Sequence, residues 1–215
     1  ALSLRLSAAA SEMSADVATT VSVREGSLAY LTEIDFDVRR AGRSTLRFTT
    51  PDWLGADIEI QGVGIRQTSS EAGPAGRRTW TITLQQLMRG LYQLHLVQVL
   101  PLPDDGQITA AIVEPLEAER TRSFVILENR AGAELTEATS KGAVSLPLAD
   151  VPVAVADELR KRAISAHRVS DASASLVWKR HEREQEKGLA ASVNLADLVT
   201  VVNRDGTYRT QAAYV

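Results

Sequence analysis

Apolar and polar residues alternate along the first half of the chain. In "SLAYLTEIDFDVRR", Leu28, Tyr30, Ile34, Phe36 and Val38 share one parity, and Glu33, Asp35, Asp37 and Arg39 share the other. Successive side chains of a strand point to opposite faces, so this stretch predicts a half-buried strand with one wet face. "RAGR" at 40–43 supplies turn chemistry, and "STLRFTT" resumes the alternation with Leu46 and Phe48 inward, which predicts a hairpin. "ADIEIQG" places Ile58 and Ile60 on one face. "GIRQTSS" and "RTWTITLQ" flank "EAGPAG" (71–76), a loop built of breakers. In the second of these, Trp80, Ile82 and Leu84 face one way and threonines the other, a composition that suits a pleated surface. "GLYQLHLVQVL" carries apolar residues on both parities, which predicts a central strand covered on both faces. With "LSLRL" and "ADVATTVSV" at the front, about eight short strands precede Pro101. That spacing predicts a sandwich or barrel.

"LPLPDDGQ" (100–107) interrupts the pattern with two prolines, two aspartates and a glycine, and places a domain boundary there. The expected fold is therefore mainly β: two β-sandwich-like lobes, 1–100 and 101–215, or one larger sandwich. In the second half "RTRSFVILENR" reads as a buried strand, and "GAVSLPLAD" as a strand that Pro147 pushes to an edge. One short helix is expected near 152–166. Asp150 would cap it, Pro152 would sit in its first turn, and Val155, Leu159 and Ala163 would share a face. Beyond it, "ASLVWKRHEREQEKGLAASVNLADLVTVV" fits strand parity, with a helix through 181–196 as the competing reading. "TVVNRDGTYRTQAAYV" predicts a hairpin around Asp205-Gly206, its second strand reaching Val215. A chain ending inside a strand is expected to be a piece of a longer run of β modules.

Charge and composition narrow the chemistry. The net charge is −3, with arginines scattered among carboxylates, so the basic surface that nucleic-acid binding requires is missing. Cysteine is absent, which removes disulfides, thiol catalysis and cysteine zinc sites. No apolar run approaches the roughly 20 residues of a membrane-spanning helix, so this segment is not expected to insert directly. His95, His167 and His181 lie far apart, and "HEREQE" lacks the second histidine of a helical zinc motif. There is no G-x-S-x-G elbow and no phosphate-binding glycine loop. Asp35/Asp37 and Asp104/Asp105 could in principle serve as paired acids, but a wet strand face and a turn explain them. "DDG" (104–106) and "NRDG" (203–206) offer oxygens for calcium, yet lack the further spaced acids of a binding loop. No catalytic residue, metal or cofactor is therefore expected. Trp80 and Trp178 alternate with apolar neighbours and read as core. Trp53, in "TTPDWLG", lies just past a strand and is the candidate ring for a carbohydrate platform.

The stretch 23–67 resembles segments of very large, uncharacterised exported proteins of planctomycete-like bacteria. The matching residues are Glu25-Gly26, Pro51-Asp52-Trp53 and Gly62-Val63-Gly64-Ile65, and the terminal hairpin is similar to one that recurs in those proteins. The resemblance covers about half the chain through turn and strand patterns. It implies tandem β-sandwich modules in a long, membrane-associated envelope protein, hence an extracytoplasmic location (periplasm or cell envelope). It carries over no functional residue. The expected function is a non-catalytic structural or interaction module. Its partners would be other domains of the same polypeptide or another protein. A carbohydrate-binding module is the alternative.

Overall fold

The alternation at the front of the chain becomes two long antiparallel strands. β1 (Glu12–Arg24) turns at Gly26 into β2 (Ser27–Pro51), with Val17 opposite Ile34 and Val21 opposite Tyr30. The computed structural model describes residues 11–151, 157–181, 196–203 and 206–214. The expected strand "LSLRL", the start of the expected helix and most of the stretch 181–196 lie outside the described residues. The chain forms two units, Ala1–His181 and Glu182–Val215.

In the first unit the expected hairpin at 40–43 is a bend. β2 does not reverse there. It passes through a register shift between Val38 and Thr45, with Arg40 in the left-handed region (φ 63°). β5 (Arg77–Pro101) bends alongside it: its residues 90–101 pair with 27–38 of β2, and its residues 77–83 pair with 45–51. Bulges of this kind increase local twist, which lets one pair of strands serve two leaves of a sandwich. β3 (Glu59–Gln61) and β4 (Ile65–Ala72) each pair with β5, on its late and early halves respectively. Between residues 11 and 101 there are five strands, because two expected pairs of short strands are each one long bent strand. The outer face of late β5 is not covered as expected. Leu91 and Val99 are exposed there, although β5 is central in its hydrogen bonding.

The expected boundary after residue 100 falls inside this unit. Pro103–Gly106 does form a turn, closed by the Gly106 N–H donating to the Pro103 carbonyl at 3.1 Å. The chain then passes through β6 (Gln107–Thr109), buries Ala110–Val113, and continues through β7 (Glu114–Pro115) into β8 (Arg120–Asn129). β8 lies parallel to β1, with Ser14 opposite Arg120 and Val23 opposite Asn129. The second half thus completes the sheet of the first. β9 (Glu134–Lys141), β10 (Ala143–Leu146), β11 (Ala163–Val169) and β12 (Ser175–His181) follow. The main sheet runs β10-β11-β8-β1-β2-β5-β3, and β6-β12-β9 forms a smaller one. β10 is the edge strand expected ahead of Pro147.

One core joins these layers. Phe36, Phe48, Ile82, Leu94, Ile108 and Leu176 are fully buried within it, and Trp80 and Trp178 are core as expected. The Tyr30 hydroxyl donates to the Thr109 carbonyl at 3.1 Å, tying the two sheets, and burial pushes its phenol well above the ordinary value. β8 is covered on both faces. Val125 and Leu127 enter the main core, while Phe124 and Ile126 meet Val151, Ala166 and Leu159 on the other side. Leu159 belongs to α1 (Asp157–Arg162), which ends earlier than expected. Residues 163–166, assigned to the helix by pattern, are strand in β11. There the backbone gains cross-strand bonds to β8, and tertiary pairing overrides a weak local preference. Asp150 sits in a 3₁₀ turn (Leu148–Asp150).

The second unit contains the expected hairpin. β13 (Ala196–Val202) pairs with β14 (Tyr208–Tyr214), with Thr200 opposite Thr210 and their hydroxyls 3.0 Å apart. Asn203 and Thr207 close the turn through backbone and side-chain bonds.

Candidate functional site: a polar groove and an exposed hairpin

Period-two alternation sends Asp16, Glu33, Asp35 and Asp37 to the outer face of β1 and β2. The β1–β8 and β2–β5 pairings extend that face on both sides. Two rows result, Arg122–Asp16–Asp35–Gln93 and Arg120–Ser14–Asp37–Leu91, each crossing four adjacent strands. Together with Arg39 and Tyr92 they line a groove of about 560 Å³, within the range of small-molecule sites. Arg122 grips Asp16 through two N–H groups, Nε donating to Oδ1 at 2.6 Å and Nη2 to Oδ2. Arg39 donates to Asp37 at 2.8 Å. The Gln93 amide donates to Asp35 at 2.9 Å and to Glu33, and its own oxygen lies 3.0 Å from His95 Nε2. Partial burial, then the charge of Asp35, lifts the Glu33 carboxyl above its ordinary value, against the opposing pull of His95 and Gln93.

Asp35 and Asp37 are thus neighbours on a wet strand face, each held by a hydrogen bond to a side chain, as the strand reading expected. Asp105 serves its turn by accepting the Gln107 N–H at 2.9 Å. Asp205 lies outside the described residues. Among the described residues no group of three or more His, Asp or Glu is arranged to hold a metal ion, and no helix is long and apolar enough to cross a membrane.

Trp53 is placed elsewhere. It lies in a 3₁₀ turn (Asp52–Leu54) that follows β2 and is 46% exposed. Its ring meets the inward-facing Tyr30 edge-on, with centroids 5.5 Å apart. Trp53 is not among the residues lining the groove. Of the histidines, His95 borders the groove network. His181 Nε2 lies 2.8 Å from the Thr136 hydroxyl. His167 is buried beside Trp178, its Nε2 2.9 Å from Glu137. The His167–Glu137 contact links β11 to β9. No local signal marks it, because "ELTEATSK" does not alternate and its strand was not anticipated. The arginines of the groove were missed for a related reason. Arg39 lies on the wet face of β2 itself, but Arg120 and Arg122 reach the groove only through the parallel β1–β8 pairing, which joins residues about a hundred positions apart.

The hairpin offers a different surface. Leu198, Thr200 and Val202 on β13 share one face with Ala212, Thr210 and Tyr208 on β14. All six are exposed, Leu198 to 65%, Val202 to 69% and Tyr208 to 76%, and none is charged. Val199 and Val201 are exposed on the opposite face. Neither strand has a second partner among the described residues. No protein-family model matches the chain and no curated protein matches it.

Proposed function

We propose that the chain is a non-catalytic interaction module that uses the Ala196–Tyr214 hairpin as its contact surface. The observation that carries this reading is exposure of large apolar side chains on both faces of a two-stranded ribbon. A lone two-stranded hairpin is marginally stable in water, and a contiguous apolar patch on a soluble protein marks a contact site. The partner is a strand of another β module. Free edges supply main-chain donors and acceptors, and the uncharged Leu198–Tyr208 face supplies the apolar contact. The resemblance to tandem β modules supports the same kind of neighbour. It alone supports reading the chain as part of a longer extracytoplasmic bacterial protein. Carbohydrate binding at Trp53 gains no support from its setting, because the ring leans edge-on against Tyr30.

Hydrogen exchange tests the proposal, with a second copy of the chain as the probe. In dilute solution the β13 and β14 amides should exchange quickly while those of β1, β2 and β8 are strongly protected. Raising the protein concentration should slow exchange in the hairpin selectively. Strong protection of the hairpin at the lowest concentration would mean that its own chain already covers it, and would overturn the proposal.

A further inference from the structure

We infer that the groove across β8, β1, β2 and β5 is a binding site for a neutral oligosaccharide, independent of the hairpin. Charge is the first argument. Three carboxylates (Asp16, Asp35, Asp37) and three guanidiniums (Arg39, Arg120, Arg122) line the groove and balance. A polyanion or a polycation would meet as much repulsion as attraction there, so a charged polymer gains no steering.

Hydrogen-bonding capacity is the second argument. The paired groups are held in place yet not exhausted. Asp16 occupies Nε and Nη2 of Arg122, while Nη1 has no partner among the described residues, and neither does Arg120. A carboxylate has about four lone-pair sites, and the Asp35 side chain receives one hydrogen bond, from Gln93. Each row therefore offers a guanidinium donor at its β8 end and carboxylate or hydroxyl groups on β1 and β2, at the strand spacing of about 4.8 Å. A sugar hydroxyl donates and accepts at once, so it suits such a surface. Leu91, 82% exposed at the end of one row, offers an apolar contact for the C–H face of a pyranose ring.

Topology is the third argument. β1 and β2 are interior strands whose main-chain groups are spent in the ladders on either side. A peptide adding as a strand finds no free edge at this floor, so recognition falls to side chains.

The test is an NMR titration of the full chain with neutral gluco-, manno- and galacto-oligosaccharides, with polygalacturonate and oligolysine as charged comparators. At least one neutral series should shift the amides of Ser14, Asp35 and Gln93. Gln93→Ala and Asp35→Asn should each weaken binding about tenfold, as loss of a hydrogen bond to a charged or polar partner does. Both positions face solvent, so melting temperature should hold and a loss of affinity is not a loss of fold. Trp53→Ala should leave the affinity unchanged. Silence from every neutral saccharide would overturn the inference. So would tighter binding of either charged comparator, or binding lost in Trp53→Ala and kept in Gln93→Ala.

Discussion

Replacing Trp80 with alanine is expected to lower the unfolding free energy by about 3–5 kcal/mol, the usual cost of removing a large buried aromatic. Trp80 is 3% exposed and faces Phe48 across the β2–β5 pair, with stacked rings whose centroids are 6.3 Å apart. Its indole N–H donates to the Thr50 hydroxyl at 3.0 Å, and Thr50 is fully buried. The substitution opens a cavity and also strands that hydroxyl, which adds to the loss. Trp80→Phe separates the two contributions. It keeps most of the ring and removes the donor, so it should cost about 1–2 kcal/mol. Trp53→Ala, at a half-exposed ring, should cost about 1 kcal/mol. Urea unfolding followed by circular dichroism reads all three, with a shifted midpoint and an unchanged slope. Equal losses for Trp80→Ala and Trp53→Ala would contradict the placement of Trp80 in the core beside Phe48. A loss of this size is a large share of a typical domain's stability.

The second large effect is expected at Arg130. Glu128, at the end of β8, has a side chain only 2% exposed and is paired with Arg130 at 2.9 Å. Burial alone would raise its carboxyl. The hydrogen bond from Arg130 and the charges of Arg130 and Arg162 outweigh burial and hold it below the ordinary value. A depressed carboxyl contributes stability that is full above the unfolded-state pKa. That contribution is lost as pH falls through the lower, folded value. Arg130→Ala leaves a buried carboxylate short of its partner. It should cost about 2–3 kcal/mol at pH 7, somewhat less than a fully enclosed pair because Arg130 reaches solvent and Arg162 remains. In the variant burial is opposed less, so the carboxyl titrates higher and protonation relieves the strain. The difference between variant and wild type should therefore narrow as pH falls through about 4. Denaturation curves at neutral and acidic pH measure it. A difference that stays constant with pH would show that Arg130 acts by packing and not through Glu128.

Period-two alternation made the strands legible, and it placed Phe36, Phe48 and Trp80 inward and Asp35 and Asp37 outward. It could not show that Arg40–Gly42 is a bend. Turn-forming residues also suit a bulge, and the choice was settled by β5, which bends in register with β2. Nor could it show that "RTRSFVILENR" lies beside β1, since parallel pairing leaves no turn to announce it. That one pairing puts the expected boundary at residue 100 inside a single unit and carries Arg120 and Arg122 to the groove. Local preference misled at 163–166, where residues continuous with a helical pattern are taken into the sheet. The terminal hairpin was readable because Asp205-Gly206 and the flanking valines and threonines agree on it. Its exposure was not readable, because burial depends on what else the fold brings near. Trp53 stood out in sequence as a ring beyond a strand. Its lean against Tyr30 joins residues over twenty positions apart and leaves no local signal.

The hairpin as an open contact surface is the claim on which the functional proposal stands. Sedimentation velocity of the chain from low-micromolar to near-millimolar concentration tests it most directly, beside a Leu198→Lys/Val202→Lys variant. Both substitutions place a charge on the exposed, uncharged face, where a monomer tolerates it and an apolar contact does not. The predicted result is concentration-dependent association of the wild-type chain that the variant loses while its circular dichroism stays the same. A wild-type chain that sediments as a monomer throughout, or a variant that associates equally well, would contradict it.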